Sequence, residues 1–292
     1  MIQGVVFMLR LGFLANGEML GWESEKLCAF IRESGYDCVE LIDDIIFSPD
    51  KPECYIKGLL KAAAENNVQI SEILVQHDLV LKDEAARRAC VELIKTNIKK
   101  AADMGVDTVN LFTGPVPWMP GALKVGRDIS FEDTWNMIFS AFDELIPVAE
   151  KNGVRLAVEN VWGMAAHDFF TNSFLQNHYD SKNLGVNLDV SHDTLYGIKD
   201  PAFIVKSWGR DKIFHVHLKD AVGIPEDGSF VFPVIGEGVV NFRALFGALR
   251  EIGYDGTVSV EFESWAYRNT VFGGQHAPAA PEMRKILDKF LD

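Results

Sequence analysis

Asn152-Gly153-Val154-Arg155-Leu156-Ala157-Val158-Glu159-Asn160 reads as a helix end feeding a buried strand that stops on a carboxylate. Glycine and asparagine tolerate the left-handed conformation that closes a helix, so Asn152-Gly153 marks the cap. Arg155–Glu159 is short and largely apolar, the pattern of a strand covered on both faces. The same unit recurs in both directions. Ser34-Gly35-Tyr36, Asn66-Asn67, Met104-Gly105 and Ile252-Gly253 each close a helical pattern ahead of another such run. On this basis the predicted strands are Val5–Leu9, Cys38–Leu41, Gln69–Val75, Thr108–Leu111, Arg155–Glu159, Gly185–Asp189, Ile213–Leu218 and Thr257–Glu261.

The intervening segments show helical spacing. Phe242, Leu245, Phe246, Leu249 and Ile252 recur at steps of three and four and form one apolar stripe. Leu27, Phe30 and Ile31 do the same in the first helix, and Leu93, Ile94, Ile98 and Ala101 in the third. Eight strands alternating with helices predict an α/β fold, a (β/α)8 TIM barrel forming one domain over residues 1–292. A doubly wound open sheet would carry G-x-G-x-x-G after its first strand, and this chain has none. The Gly/Pro-rich stretch Thr113–Gly126 then falls on the catalytic face as a loop after the fourth strand.

Lys and Arg total 28 against 42 for Asp and Glu, a formal net charge of -14. Such a surface repels phosphate backbones and anionic membranes, so neither nucleic acid nor a membrane is an expected partner. The four cysteines, Cys28, Cys38, Cys54 and Cys90, form no C-x-x-C pair and suit a reducing cytoplasm. With no basic leader and no apolar run of roughly 20 residues, the expectation is a soluble cytoplasmic protein. Oligomeric state is not legible, although barrels of this kind commonly pair.

Four successive strands end on a residue able to bind a metal: Glu159, Asp189, His217 and Glu261. In a barrel such ends converge on one face. Three carboxylates meeting without a cation would repel one another and raise their own pKa values, so the pattern calls for one divalent ion. Oxygen and nitrogen ligands without a thiolate suit Mn, Co, Mg or Zn. Taken singly, a strand-end carboxylate is more often a helix cap or an ion-pair partner; four in succession favour the metal site. His192, three residues past Asp189, is placed to bond a substrate hydroxyl. Lys219 shares the side of the strand with His217 and is placed to stabilise charge on a substrate oxygen. Glu40, Glu72 and His77 are weaker candidates, and His215 and His217 point the same way along a strand, so that at least one can also be read as a hydrogen-bonded core residue. Trp22, Trp118, Trp162 and Trp265 fall in loops of the same face, where an indole could stack on a sugar; Trp118 and Trp162 are the predicted substrate contacts. Trp135 and Trp208 read as core.

Ala157-Val158-Glu159-Asn160, Asn187-Leu188-Asp189-Val190-Ser191-His192, His215-Val216-His217-Leu218-Lys219-Asp220, Gly236-Glu237-Gly238 and Ser259-Val260-Glu261 together resemble the xylose isomerase-like TIM barrels. The resemblance covers most of the chain. It implies that Glu159, Asp189, His217 and Glu261 hold the ion, that His192 touches substrate, and that Glu159 and Glu261 are the catalytic pair moving a proton from opposite faces. The implied activity is a metal-dependent isomerase or epimerase of a sugar, sugar phosphate or polyol ketone, acting through a metal-stabilised enediolate. The alternatives are a dehydratase (a lyase) on an inosose- or keto-sugar-like substrate, and a non-catalytic metal-stabilised subunit. The chain departs from the ketose 3-epimerases at Gly223, where they carry Arg, and at Ala165, where they carry Glu. It also has Ser229-Phe230-Val231-Phe232 where the DNA-repair endonucleases of this barrel class carry Asp-x-His. Lys124, Arg127 and Arg268 are the candidate cations for a phosphate.

Overall fold

A computed structural model describes residues 9–75, 77–225 and 228–291. Strand β1 (Arg10–Leu14) leads through a 3-10 turn (Gly17–Gly21) to α1 (Ser24–Glu33). β2 (Cys38–Ile42) runs directly into the short α2 (Asp43–Ile46), followed by α3 (Tyr55–Glu65). β3 (Gln69–Val75) precedes α4 (Glu84–Asp103), β4 (Thr108–Leu111) precedes α5 (Phe131–Asn152), and β5 (Arg155–Glu159) precedes α6 (Phe169–Gln176). β6 (Leu184–Asp189) passes straight into α7 (Val190–Leu195), with α8 (Pro201–Trp208) behind it. β7 (Ile213–Leu218) is followed by a hairpin of β8 (Val222–Ile224) and β9 (Ser229–Val231), then α9 (Phe242–Glu251). β10 (Thr257–Val260) is followed by α10 (Trp265–Thr270) and α11 (Ala279–Leu291).

The barrel closes in the order β1-β10-β7-β6-β5-β4-β3-β2, and every neighbouring pair is parallel. This is the (β/α)8 barrel expected from the sequence. Register decides what meets at its centre. Asp189 lies opposite His217, and Glu159 opposite Asn187, two residues before Asp189 on the same side of β6. With side chains alternating along a strand, all four of these side chains turn to the same face. Glu40 and Glu72 are likewise paired across β2 and β3.

Seven of the eight strands begin and end within one residue of their predicted bounds. The first differs more. Of the predicted strand Val5–Leu9, residues 5–8 lie outside the described residues, and the barrel strand is Arg10–Leu14. Its pattern is disguised by Gly12, where an added Cβ would stand 2.6 Å from Ser259 Oγ across the β1–β10 seam. A site that excludes any side chain cannot advertise itself as a β-branched run. β10 stops at Val260, so Glu261 is the first residue beyond the strand, with its N–H bonded to the Leu218 carbonyl.

The outer helices pack through the stripes read from the sequence. Phe242, Leu245, Phe246 and Leu249 of α9 are buried, as are Leu27 and Ile31 of α1. In α4 the buried stripe is Val91, Ile94, Ile98 and Ala101, and the predicted member Leu93 is exposed. The 3-4-3 spacing from Val91 holds one face, and Leu93 falls outside it. Gly153 caps α5 with φ of 67°, as the opening stretch requires. The four cysteines are free thiols. Among the described residues no helix is long and apolar enough to cross a membrane.

Candidate metal centre

Glu159, Asp189, His217 and Glu261 converge as expected, each offering a ligand atom within 4.8 Å of the others'. His217 is the hub. Its Nδ1 lies 3.0 Å from Glu159 Oε1 and 3.3 Å from Glu261 Oε2. Its Nε2 lies 2.8 Å from Glu40 Oε2 on the far side of the ring. With Glu40 accepting from Nε2–H, Nδ1 is left as the atom that faces the carboxylate cluster. Asn110 Nδ2 donates to Glu159 Oε2 at 2.9 Å, and the Ser191 N–H donates to Asp189 Oδ1 at 2.8 Å, which fixes two of the carboxylates.

Lys219 Nζ stands 2.5 Å from Glu261 Oε2, 3.0 Å from Glu263 Oε2 and 3.1 Å from Asp189 Oδ2. Burial disfavours this ammonium, but the carboxylates of Asp189, Glu261 and Glu263 outweigh it and hold its pKa well above the ordinary lysine value. His217 behaves alike: burial works against the charge, and Glu159, Glu40 and Glu261 raise its pKa well above the usual range. Burial raises Glu159, while Lys219 and His217 overcome burial at Glu261 and lower it. Burial pushes Glu263 up to about 7. An imidazolium and an ammonium thus supply the positive charge that three clustered carboxylates demand. The same donor set fits a divalent cation. It offers three carboxylate oxygens and one imidazole nitrogen, and the buried Asp189 Oδ2 has an ammonium near it but no aligned hydrogen bond.

His192 is buried beside this cluster, with Nε2 3.4 Å from Asp189 Oδ2 and Nδ1 accepting from the Trp162 N–H at 3.3 Å. Burial drives its pKa down to about 3, so it is a neutral imidazole whose Nε2–H is available to donate. The cluster forms the floor of a cavity of about 830 Å³ lined by Glu159, Glu261, His192, Lys219, Trp118 and Trp162, among others. Thus every residue read from the sequence as a ligand, proton carrier or substrate contact is brought to one place.

Other candidates separate. Trp265 lines the cavity, whereas Trp22 packs edge-on against Phe30 of α1 and does not. Trp135 is buried and Trp208 packs on Phe169 outside the barrel. His215 is the core histidine of its pair, with Asn187 Oδ1 at 3.3 Å and Ser71 Oγ at 3.4 Å. His77 pairs with Asp43 at 2.8 Å, away from the cavity. Lys124, Arg127 and Arg268 do not line it either; Arg127 is bonded to Asp128 and Arg268 to the Gly274 carbonyl. Sequence reading missed Glu263 and the cavity residues Phe112, Phe230 and Phe232. Glu263 follows Glu261 by two residues, a spacing that could have flagged it as facing the same way.

The family model for the xylose isomerase-like TIM barrel matches residues 28–289, and the chain belongs to that family. It is 30% identical to the uncharacterized protein MJ1311 of Methanocaldococcus jannaschii over 61% of this chain, spanning only 58% of that protein's length. It is 26% identical to the putative L-ribulose-5-phosphate 3-epimerase SgbU of Escherichia coli, over 83% of this chain and 84% of that protein. In fold it is similar to the IolI protein crystallised with a bound zinc atom, with TM-score 0.69, 22% identity, and coverage of 97% of this chain and 99% of that one.

Proposed function

We propose that the protein is a sugar isomerase or epimerase that works with one divalent ion, Mn, Co, Mg or Zn, held by Glu159, Asp189, His217 and Glu261. The observation that carries this reading is the placement of two glutamates, Glu159 and Glu261, at 3.0 and 3.3 Å from His217 Nδ1 at the floor of an open cavity. Carboxylates so placed can each reach a substrate carbon from a different side, one removing an α-proton and the other returning one. The bound ion supplies a Lewis acid that lowers the cost of negative charge on a substrate oxygen. Lys219, held between Asp189, Glu261 and Glu263, keeps a positive charge beside the same oxygen. His192 donates from Nε2 to a neighbouring hydroxyl and fixes the sugar's orientation. Trp118 and Trp162 present aromatic surface to the rest of the cavity. The name of the E. coli relative, an epimerase, supports this reading.

The test follows metal and proton separately. Elemental analysis of wild type beside Asp189→Ala should give about one divalent ion per chain, lost in the variant. Candidate ketoses, inososes and sugar phosphates, incubated with the enzyme in deuterium oxide, should gain deuterium at the carbon that exchanges. Conservation of mass otherwise identifies isomerisation, and loss of water a dehydratase. No metal in either protein after incubation with excess ion would sink the proposal.

A further inference from the structure

The cavity is larger than a single sugar needs. A hexose has about a dozen non-hydrogen atoms, and even at the roughly 30 Å³ that each water molecule takes up in the liquid these would fill less than half of it. The rest of the space runs outward from the carboxylate floor along a continuous row of aromatic rings. Phe232 packs on His192 with centroids 5.4 Å apart, Phe230 on Phe232 at 5.5 Å, and Trp162 on Phe230 at 4.8 Å. Trp118 then stands 6.1 Å from Trp162 and 6.0 Å from Phe112. The row joins three segments, the loops after β4 and β5 and the β8–β9 hairpin, across the mouth of the barrel. At its outer end Trp118 is 50% exposed, so part of its surface remains accessible to a ligand.

Charge narrows the ligand further. Among the described residues lining the cavity the one Lys or Arg is Lys219, and its ammonium is already surrounded by Asp189, Glu261 and Glu263. Glu237 adds another carboxylate to the wall. A phosphate group is held by paired donors of opposite charge, and no such pair lines the cavity among the described residues. An uncharged ring is different: its C–H groups lie well on the negative face of an indole or phenyl ring.

We propose that the outer half of the cavity is a subsite for a second, uncharged ring, so that the substrate is a neutral sugar that bears a ketone on its reacting ring and carries the second ring in glycosidic linkage, and not a sugar phosphate. This rests on the reading of the carboxylate floor as the sugar site and adds its substrate class. The inner ring meets Glu159, Glu261 and His192, and the outer ring lies on the exposed part of Trp118 beside Trp162.

Calorimetric titration of the metal-loaded protein with D-glucose, phenyl β-D-glucoside and D-glucose 6-phosphate tests this without requiring turnover. The phenyl glucoside should bind about tenfold more tightly than glucose, the advantage expected of one well-placed aromatic contact. That ratio should collapse toward one in Trp118→Ala, whose half-exposed position makes the change tolerable to the fold, and in Trp162→Ala. Glucose 6-phosphate should bind no better than glucose. Tightest binding of the phosphate, or a phenyl advantage that survives both substitutions, would overturn the subsite. Failure of all three probes to bind would overturn the sugar reading of the floor itself, so the two ideas fall separately.

Discussion

Glu159, Asp189 and Glu261 surround the Nδ1 side of His217, whereas Glu40, Glu72 and His215 crowd its Nε2 side. The two groups use the same residue types at similar spacing and share one imidazole. They differ in access and in counter-charge. Glu159 and Glu261 line the cavity, and the Lys219 ammonium sits against the cluster. Glu40 and Glu72 are fully buried inside the barrel, and both Glu72 oxygens lack an aligned hydrogen bond. A carboxylate–histidine cluster is therefore not a site by composition alone. The open one can exchange a ligand or a proton with solvent and substrate; the sealed one can act only through the ring it shares.

The widest gap between the two regions should appear in turnover. Glu159→Gln keeps shape and removes a proton acceptor, and the rate of deuterium exchange into substrate should fall about 10²–10⁴-fold. Glu72→Gln should leave that rate within about threefold, since its side chain reaches neither the cavity nor Nδ1. Equal losses in both variants would erase the distinction between an open and a sealed cluster.

Metal affinity should show a smaller effect that crosses from one region to the other. Glu40 accepts from His217 Nε2 at 2.8 Å and so sets which nitrogen faces the carboxylates. Glu40→Gln should weaken binding of Zn or Co about 10–100-fold by calorimetry, with stoichiometry retained. An unchanged dissociation constant would mean that Glu159 and Glu261 orient the ring unaided.

The smallest effect concerns pH and stability. Burial, with Glu40's carboxylate adding to it, holds the Glu72 carboxyl well above the usual range. The native state then keeps a proton on Glu72 that the unfolded chain releases near the ordinary glutamate value. Its contribution is fully present below that value and is lost as pH rises toward the folded one, with a slope of at most about 1.4 kcal/mol per pH unit. Denaturant melts of the metal-free protein between pH 5 and 8 should therefore flatten in Glu72→Gln. A steeper loss in the variant would show that Glu72 is ionised in the folded chain.

The sequence exposed these two regions unequally for a physical reason. Glu159, Asp189, His217 and Glu261 each stand at a strand end, and strand ends of a parallel barrel meet by topology, so position along the chain was enough to bring them together. The Glu40–His217 contact joins residues 177 apart across the barrel, and only the closed register reveals it. Strands Gln69–Val75, Thr108–Leu111, Arg155–Glu159 and Ile213–Leu218 were legible because both faces are apolar or buried. β1 was not, because Gly12 serves a close seam that leaves no side-chain signature. The aromatic row was equally hidden: Phe230 and Phe232 belong to a hairpin inserted after β7, and their spacing to Trp162 depends on how that hairpin folds back.

That hairpin is fastened at its base by a single side chain. Asp220, directly after Lys219, accepts through Oδ1 from the N–H groups of Ala221 at 2.9 Å and Val240 at 3.0 Å. Its Oδ2 accepts from Gly236 at 2.8 Å and Gly238 at 2.9 Å. Both ends of the excursion are thus clamped to one point, and a Cβ at position 238 would come within 2.2 Å of Asp220 Oδ1. Such an arrangement is modular. The exposed positions of β8 and β9 can vary while the clamp keeps the ends in place, so ligand preference can evolve apart from the reacting groups on the barrel floor.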